Sequence, residues 1–222
     1  MSESLIVDTS LSKKELYENL QKQFEFLFVK KDNILSILSN FVAAIKQTFS
    51  KVSWVGFYIK DNNQLFLGPF QGKIACTNIE IGNGVCGKSA KDKKTIIVPD
   101  VSKFDGHIAC DSETKSEIVV PLFNGNNVFA VLDLDSLELN SFNDIDKIYL
   151  ENMCKFISSF LINKGLPVLI TSAVNEPESL ASIIVNNSST SSTKYSKWIV
   201  FDFLSYNEIK KLVASITLAI AK

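Results

Sequence analysis

The sequence contains a single histidine, His107, which nearly excludes a multi-histidine metal centre and leaves thin material for a cysteine–histidine protease pair. Charge of either sign is not in excess: 23 Lys and Arg against 24 Asp and Glu leave a formal net charge of -1. No long basic run stands out, so no nucleic-acid partner is expected. The first ten residues, MSESLIVDTS, carry an early acid and no basic stretch followed by a long apolar one, so they do not read as a secretory signal. The apolar run beginning at Val213 is broken by Ser215 and Thr217 and is too short to span a bilayer. No C-x-x-C spacing is present, which weakens a zinc reading. The expectation is a soluble cytoplasmic protein with no metal, no cofactor and no membrane partner.

What is present is an ordinary globular composition, 46% hydrophobic and 21% charged over 222 residues, with sixteen Phe to fill a core. A chain of this length can bury that core without cross-links. Its four cysteines, Cys76, Cys86, Cys110 and Cys154, therefore point in a cytoplasmic setting to catalysis, metal or plain burial rather than to a disulfide framework.

Residues from about Ser12 to Phe49 read as two helices. Ser12-Lys-Lys-Glu15 is a capping-box pattern, and Leu16, Leu20, Phe24 and Leu27 follow at helical spacing. Ile34, Leu35, Leu38, Val42 and Ile45 stripe the second helix. Strands are expected at Ser53–Lys60, Gln64–Phe70, Thr77–Ile81, Thr95–Val98, Glu117–Leu122 and Val128–Asp135, with a short helix after the glycines 82, 84 and 87. Pro99–Ser116 reads as a long loop, and a loop of that length in a compact domain is often functional. Ser141-Phe-Asn-Asp144 is expected to cap a helix reaching about Asn163. The pattern predicts an α+β domain over residues 1–164: an antiparallel sheet with helices packed on one face. A C-terminal extension over 165–222 follows, with two strand-like pieces, a low-complexity stretch at 186–193 and a final apolar-striped helix.

Three patterns carry chemistry. Trp54, Gly56 and Tyr58 fall on one face of a strand, so two aromatic walls flank a glycine gap that could hold an S-methyl group. An aromatic core strand has the same pattern. Asp133 and Asp135 share a face of their strand with Phe129 and Val131, and Glu117 opens a neighbouring strand. Paired carboxyls on a pocket face repel, so at least one pKa rises, giving a proton donor beside a group that could anchor an ammonium. A solvated acidic face is the plain alternative. Cys76, Cys86 and Cys110 sit in loops or at element ends beside small residues, which suits sulfur atoms that approach and separate. Cys154 lies in an apolar helical run and reads as structural. Cys110, on the long loop near flexible Gly106 and three residues from His107, is the candidate attacking thiol; a competing assignment gives the attack to Cys86.

The segments W-V-G-F-Y, I-A-C, G-V-C-G, V-P-D-V, H-I-A-C-D-S-x-x-x-S-E-I-V-V-P and L-D-L-D-S, in this order, resemble the free methionine-(R)-sulfoxide reductases, which are GAF-domain enzymes. The resemblance covers about Leu16 to Leu161. It implies a GAF-like fold and thiol-dependent reduction of free L-methionine (R)-sulfoxide, with thioredoxin as reductant and a homodimer as a possible assembly. It implies Cys76, Cys86 and Cys110 as the redox cysteines, with Cys76 the main resolving partner and Cys86 an alternate or relay. It places the substrate pocket at Trp54, Tyr58, Glu117, Asp133 and Asp135. A non-catalytic ligand-sensing or redox-sensing GAF module is the alternative. Against it, neither the N-K-x-F-D-E-type cyclic-nucleotide pattern nor a Cys-His bilin attachment is present.

Overall fold

The computed structural model describes residues 4–27, 33–108 and 110–163. The expected C-terminal extension, with its low-complexity stretch and final helix, lies outside the described residues. Two helices, α1 (Lys13–Leu27) and α2 (Ile34–Thr48), lead into strands β1 (Trp54–Asp61), β2 (Gln64–Gln71) and β3 (Asn78–Glu80). Helix α3 (Gly84–Asp92), strand β4 (Ile96–Val98), a single 3-10 turn at Val101–Lys103, strands β5 (Ser116–Asn124) and β6 (Asn127–Ser136), and helix α4 (Asp144–Asn163) follow. The six strands expected before residue 164 are each present within two residues of their expected ends. They form one antiparallel sheet in the order β3-β2-β1-β6-β5-β4.

Alternation along the strands separates two cores. On one face Val55, Phe57, Ile118, Val120, Leu132 and Leu134 meet α1, α2 and α4 through Tyr17, Phe24, Phe41, Ile45, Leu150 and Met153. Phe41 is fully buried and its ring centroid lies 5.4 Å from that of Phe57. Cys154 belongs to this core, as its apolar run indicates. The opposite face carries α3, the connection between β2 and β3 and the segment before β5, over Trp54, Tyr58, Leu65, Val119 and Val131. Among the described residues no helix is long and apolar enough to cross a membrane.

Local chemistry sets the helix starts. Ser12 and Glu15 form the expected capping box, with the Ser12 amide donating to the Glu15 carboxylate at 2.9 Å. The start of α4 differs from expectation. Asn143, not Ser141, is the cap: its side chain accepts from the Ile145 amide at 2.9 Å, and Asp146 accepts from the Asn143 amide at 2.7 Å. Asp146 is also held by Lys13 at 2.6 Å and Tyr17 at 3.0 Å, so a tie to α1 selects this register. The Ser141 hydroxyl turns instead to Ser136. Leu35, placed on the apolar stripe of α2, is 62% exposed; Ile37 and Phe41 take the buried face in its stead.

Candidate active site

Strands β1, β5 and β6 lie side by side, and their register assembles the site. Asp133 pairs with Gly56 of β1 and Val119 of β5, while Asp135 pairs with Trp54 and Glu117. Three acids from two strands thus meet beside the two aromatics of β1. Helix α3 closes this floor from above. A Cβ at Gly87 would collide with the Glu80 carbonyl oxygen, so the glycine lets the first turn of α3 press against the end of β3. That approach holds Cys86 over the acids, 3% exposed.

The resulting cleft is lined by Trp54, Tyr58, Cys86, Glu117, Asp133 and Asp135, with His107 and Cys110 at its rim, and encloses about 510 Å³ including its open mouth. Every residue proposed for the site from sequence borders it except Cys76, whose sulfur is bonded to that of Cys110. The Cys76–Cys110 disulfide ties the loop after β2 to the loop before β5 across 34 positions of sequence, with Cα atoms 5.4 Å apart. Lys73 reinforces the same junction through ion pairs with Glu113 and, at 3.2 Å, Asp111. The Tyr58 hydroxyl donates to the Cys76 carbonyl at 3.1 Å and the Trp54 indole N–H to the Lys73 carbonyl at 3.0 Å. The aromatic walls therefore also fix the backbone that carries one half of the disulfide.

The sequence reading needs correction in three places. The glycine gap is not open: the Trp54 ring folds over Gly56 and stacks on Phe70, centroids 5.5 Å apart, so a Cβ at position 56 would meet it. Cys86 stands at an element end, as expected, but is not free to approach and separate: it is in the first turn of α3 and belongs to the buried core. Phe129 does not share the face of Asp133. It is the extra residue of a bulge, with Leu122 opposite Ala130 and Phe123 opposite Val128, and it packs toward the helix side. His107, noted for its nearness to Cys110 in sequence, is a neighbour of Glu117. Its Nε2 lies 3.6 Å from Glu117, and burial pushes its pKa below the ordinary value. Lys73 was missed, because a lone exposed lysine carries no signal until its loop partners are known.

Electrostatically the floor is a set of acids without a cation. Burial, then mutual repulsion, holds Glu117, Asp133 and Asp135 well above the usual carboxyl range. Glu117 is 5% and Asp133 7% exposed, and Asp133 Oδ1 has no hydrogen-bond partner. Burial and repulsion among the three acids favour a floor that keeps at least one proton. Burial also pushes the Cys86 thiol up, and the adjacent Asp133 and Glu117 add to it. A helix N-terminus favours a thiolate by only about 0.3–1 kcal/mol in exposed settings, too little to offset burial beside acids. Cys86 is therefore a protonated thiol in this pocket.

The chain is similar to known proteins of the GAF fold. A GAF domain model matches residues 32–161. A GAF domain-containing protein A from Dictyostelium discoideum is 50% identical over 160 residues, 72% of this chain and 100% of that protein. The free methionine-R-sulfoxide reductase of Saccharomyces cerevisiae is 43% identical over 164 residues, 70% of this chain and 91% of that protein. The X-ray structure of free methionine-R-sulfoxide reductase from Neisseria meningitidis in complex with its substrate superposes with a TM-score of 0.70 at 37% identity, covering 74% of this chain and 98% of that one. With the GAF sheet, its helices and near-complete coverage of these relatives, the chain belongs to the free methionine-R-sulfoxide reductase family of GAF-domain oxidoreductases.

Proposed function

We propose that this protein reduces free L-methionine (R)-sulfoxide to L-methionine through Cys110 and Cys76, in the cytoplasm, with residues 1–164 carrying the chemistry. The observation that supports it most is the Cys76–Cys110 disulfide at the rim of a cleft floored by three buried carboxyls. The ammonium of a free amino acid supplies the cation this floor lacks, and its arrival stabilises ionised Glu117 and Asp135. The S-methyl end packs against Trp54 and Tyr58, where sulfur–aromatic contact is favourable by about 0.3–1.5 kcal/mol.

In the reaction, the Cys110 thiolate attacks the sulfoxide sulfur while a carboxylic acid of the floor protonates the oxygen. The sulfur–oxygen bond then breaks, the hydroxyl passes to the Cys110 sulfur, and the sulfur–sulfur bond made in the attack breaks to release methionine; Cys110 is left as a sulfenic acid, and the substrate gains the two electrons that the thiol loses. The Cys76 thiol condenses with it, water leaves, and the disulfide forms. A dithiol protein such as thioredoxin returns both cysteines to thiols. Ile74, 91% exposed and two residues from Cys76, offers that partner an apolar footing. A reducing compartment keeps Cys86 and Cys154 as free thiols.

Incubation with free methionine sulfoxide and dithiothreitol, followed by a methionine assay, tests the reading. Turnover is expected for the R epimer of the free amino acid and not for a peptide-bound residue, which has no ammonium. Equal turnover of the peptide would overturn the role of the acidic floor.

A further inference from the structure

We propose that Cys86, Glu117 and Asp133 form an inhibitory site for a thiophilic divalent cation, with Zn²⁺ the best fit, overlapping through Glu117 the position assigned above to the substrate ammonium. The competitive half of this proposal rests on that assignment; the metal site itself does not.

The Cys86 sulfur and one oxygen each of Glu117 and Asp133 all lie within 4.8 Å of one another. Zinc bonds of about 2.3 Å to sulfur and 2.0–2.2 Å to oxygen bring tetrahedral ligands to roughly 3.3–3.7 Å apart, so closing on the ion needs side-chain shifts of about an ångström. The donors come from three regular elements, the first turn of α3, β5 and β6, and each residue is more than nine-tenths buried. The unpartnered Oδ1 of Asp133 is an independent sign that a ligand is wanted here, because a buried acceptor left unsatisfied is unfavourable. A water from the cleft, which these residues line, can complete the set.

Donor chemistry selects the ion. Two carboxylates alone would suit Mg²⁺ or Ca²⁺, but a thiolate favours Zn²⁺ and its spectroscopic stand-in Co²⁺. Binding involves no electron transfer. The Cys86 S–H bond breaks, a sulfur–metal bond forms, and the thiol proton leaves to solvent with the proton held between Asp133 and Glu117. Affinity must therefore rise with pH. Cys86 is thus left with a role outside the Cys110–Cys76 exchange: it makes the pocket sensitive to free zinc.

The test uses full-length protein with the Cys76–Cys110 disulfide intact, so that no other pocket thiol is free. Titration with CoCl₂ should give a near-ultraviolet thiolate-to-cobalt charge-transfer band that saturates at one equivalent. ZnCl₂ should abolish it. Cys86→Ser should lose the band and bind Zn²⁺ at least about tenfold more weakly by calorimetry. Asp133→Asn should keep the band at reduced affinity, and Cys154→Ser should keep both band and affinity. Absence of the band, or undiminished zinc affinity in Cys86→Ser, overturns the site. Loss of the band in Cys154→Ser does so as well. A Cys76→Ser/Cys110→Ser protein, which cannot turn over, then tests overlap: free methionine sulfoxide should displace Co²⁺. Sulfoxide that binds by calorimetry yet leaves the band intact overturns the competition. Sulfoxide that does not bind the metal-free double variant overturns the assigned substrate instead, while the band still establishes the metal site.

Discussion

On the helix-covered side of the sheet, β1, β5 and β6 present Val55, Phe57, Ile118, Val120, Leu132 and Leu134; on the other side the same strands present Trp54, Tyr58, Glu117, Asp133 and Asp135. Neighbours in sequence therefore answer to opposite demands. The first face excludes water and carries no charge of its own, so it contributes stability. The second gathers acids and a thiol whose burial is unfavourable without a cation beside them, so it subtracts from stability. The free cysteines sharpen the contrast. Cys154 and Cys86 are both buried thiols, but the first belongs to the apolar core of the helix-covered face and the second has carboxyls beside it.

The most severe break should come from the reacting sulfur. Cys110→Ser is expected to lower dithiothreitol-supported turnover by roughly 10³-fold or more, while Cys154→Ser leaves it within about twofold. A single-turnover assay without reductant separates the competing assignment: a full equivalent of methionine from Cys110→Ser, with none from Cys86→Ser, would make Cys86 the nucleophile.

Next in size is a cavity on the helix face. Phe41→Ala removes a fully buried ring and should destabilise by about 3–5 kcal/mol in urea unfolding. Where the protein still folds, KM for the sulfoxide should remain nearly unchanged. A large KM change in folded Phe41→Ala would show that the two faces are not separable.

The disulfide links the two loops on the site face but closes 34 positions of chain. In the chain-entropy account such a link stabilises by about 3–4 kcal/mol. Cys76→Ser should therefore lower the Tm of oxidised protein toward that of reduced wild type and leave the Tm of reduced protein unaltered.

Acid titration distinguishes the faces more finely. Glu117, Asp133 and Asp135 have folded pKa values above the ordinary carboxyl value of about 4. The folded state then retains protons that the unfolded state has released. The sign is that ligand-free stability is fully present below pH about 4 and falls as pH rises, by at most about 1.4 kcal/mol per pH unit for each proton retained. Asp133→Asn should flatten this slope in Tm measured from pH 5 to 8, and free methionine sulfoxide should restore stability only to wild type.

The smallest effect concerns Lys73. Removing its pairs with Asp111 and Glu113 in Lys73→Ala should slow closure of the Cys76–Cys110 disulfide by about two- to fivefold at low salt. Quenched-flow thiol counting after a sulfoxide pulse reads this rate, and Lys73→Arg should rescue it. An equal effect at high salt would point to packing rather than charge.

The sequence by itself determined the strands of residues 1–164, the aromatic pair of β1 and the acids of β5 and β6. These are readable because alternation and helical spacing are properties of contiguous backbone, and an acid two residues from another on a strand must share its face. The Ser12 capping box was legible for the same reason. The Asn143 cap was not, because the choice between Ser141 and Asn143 depends on Lys13 and Tyr17, more than 120 positions away in sequence. Only the tertiary structure decided that Cys76 meets Cys110 while Cys86 faces carboxyls, that Trp54 covers Gly56, and that His107 turns to Glu117. Each is a contact between segments brought together by chain closure and packing, and no local periodicity encodes which partner a side chain finds when the loops fold over the sheet.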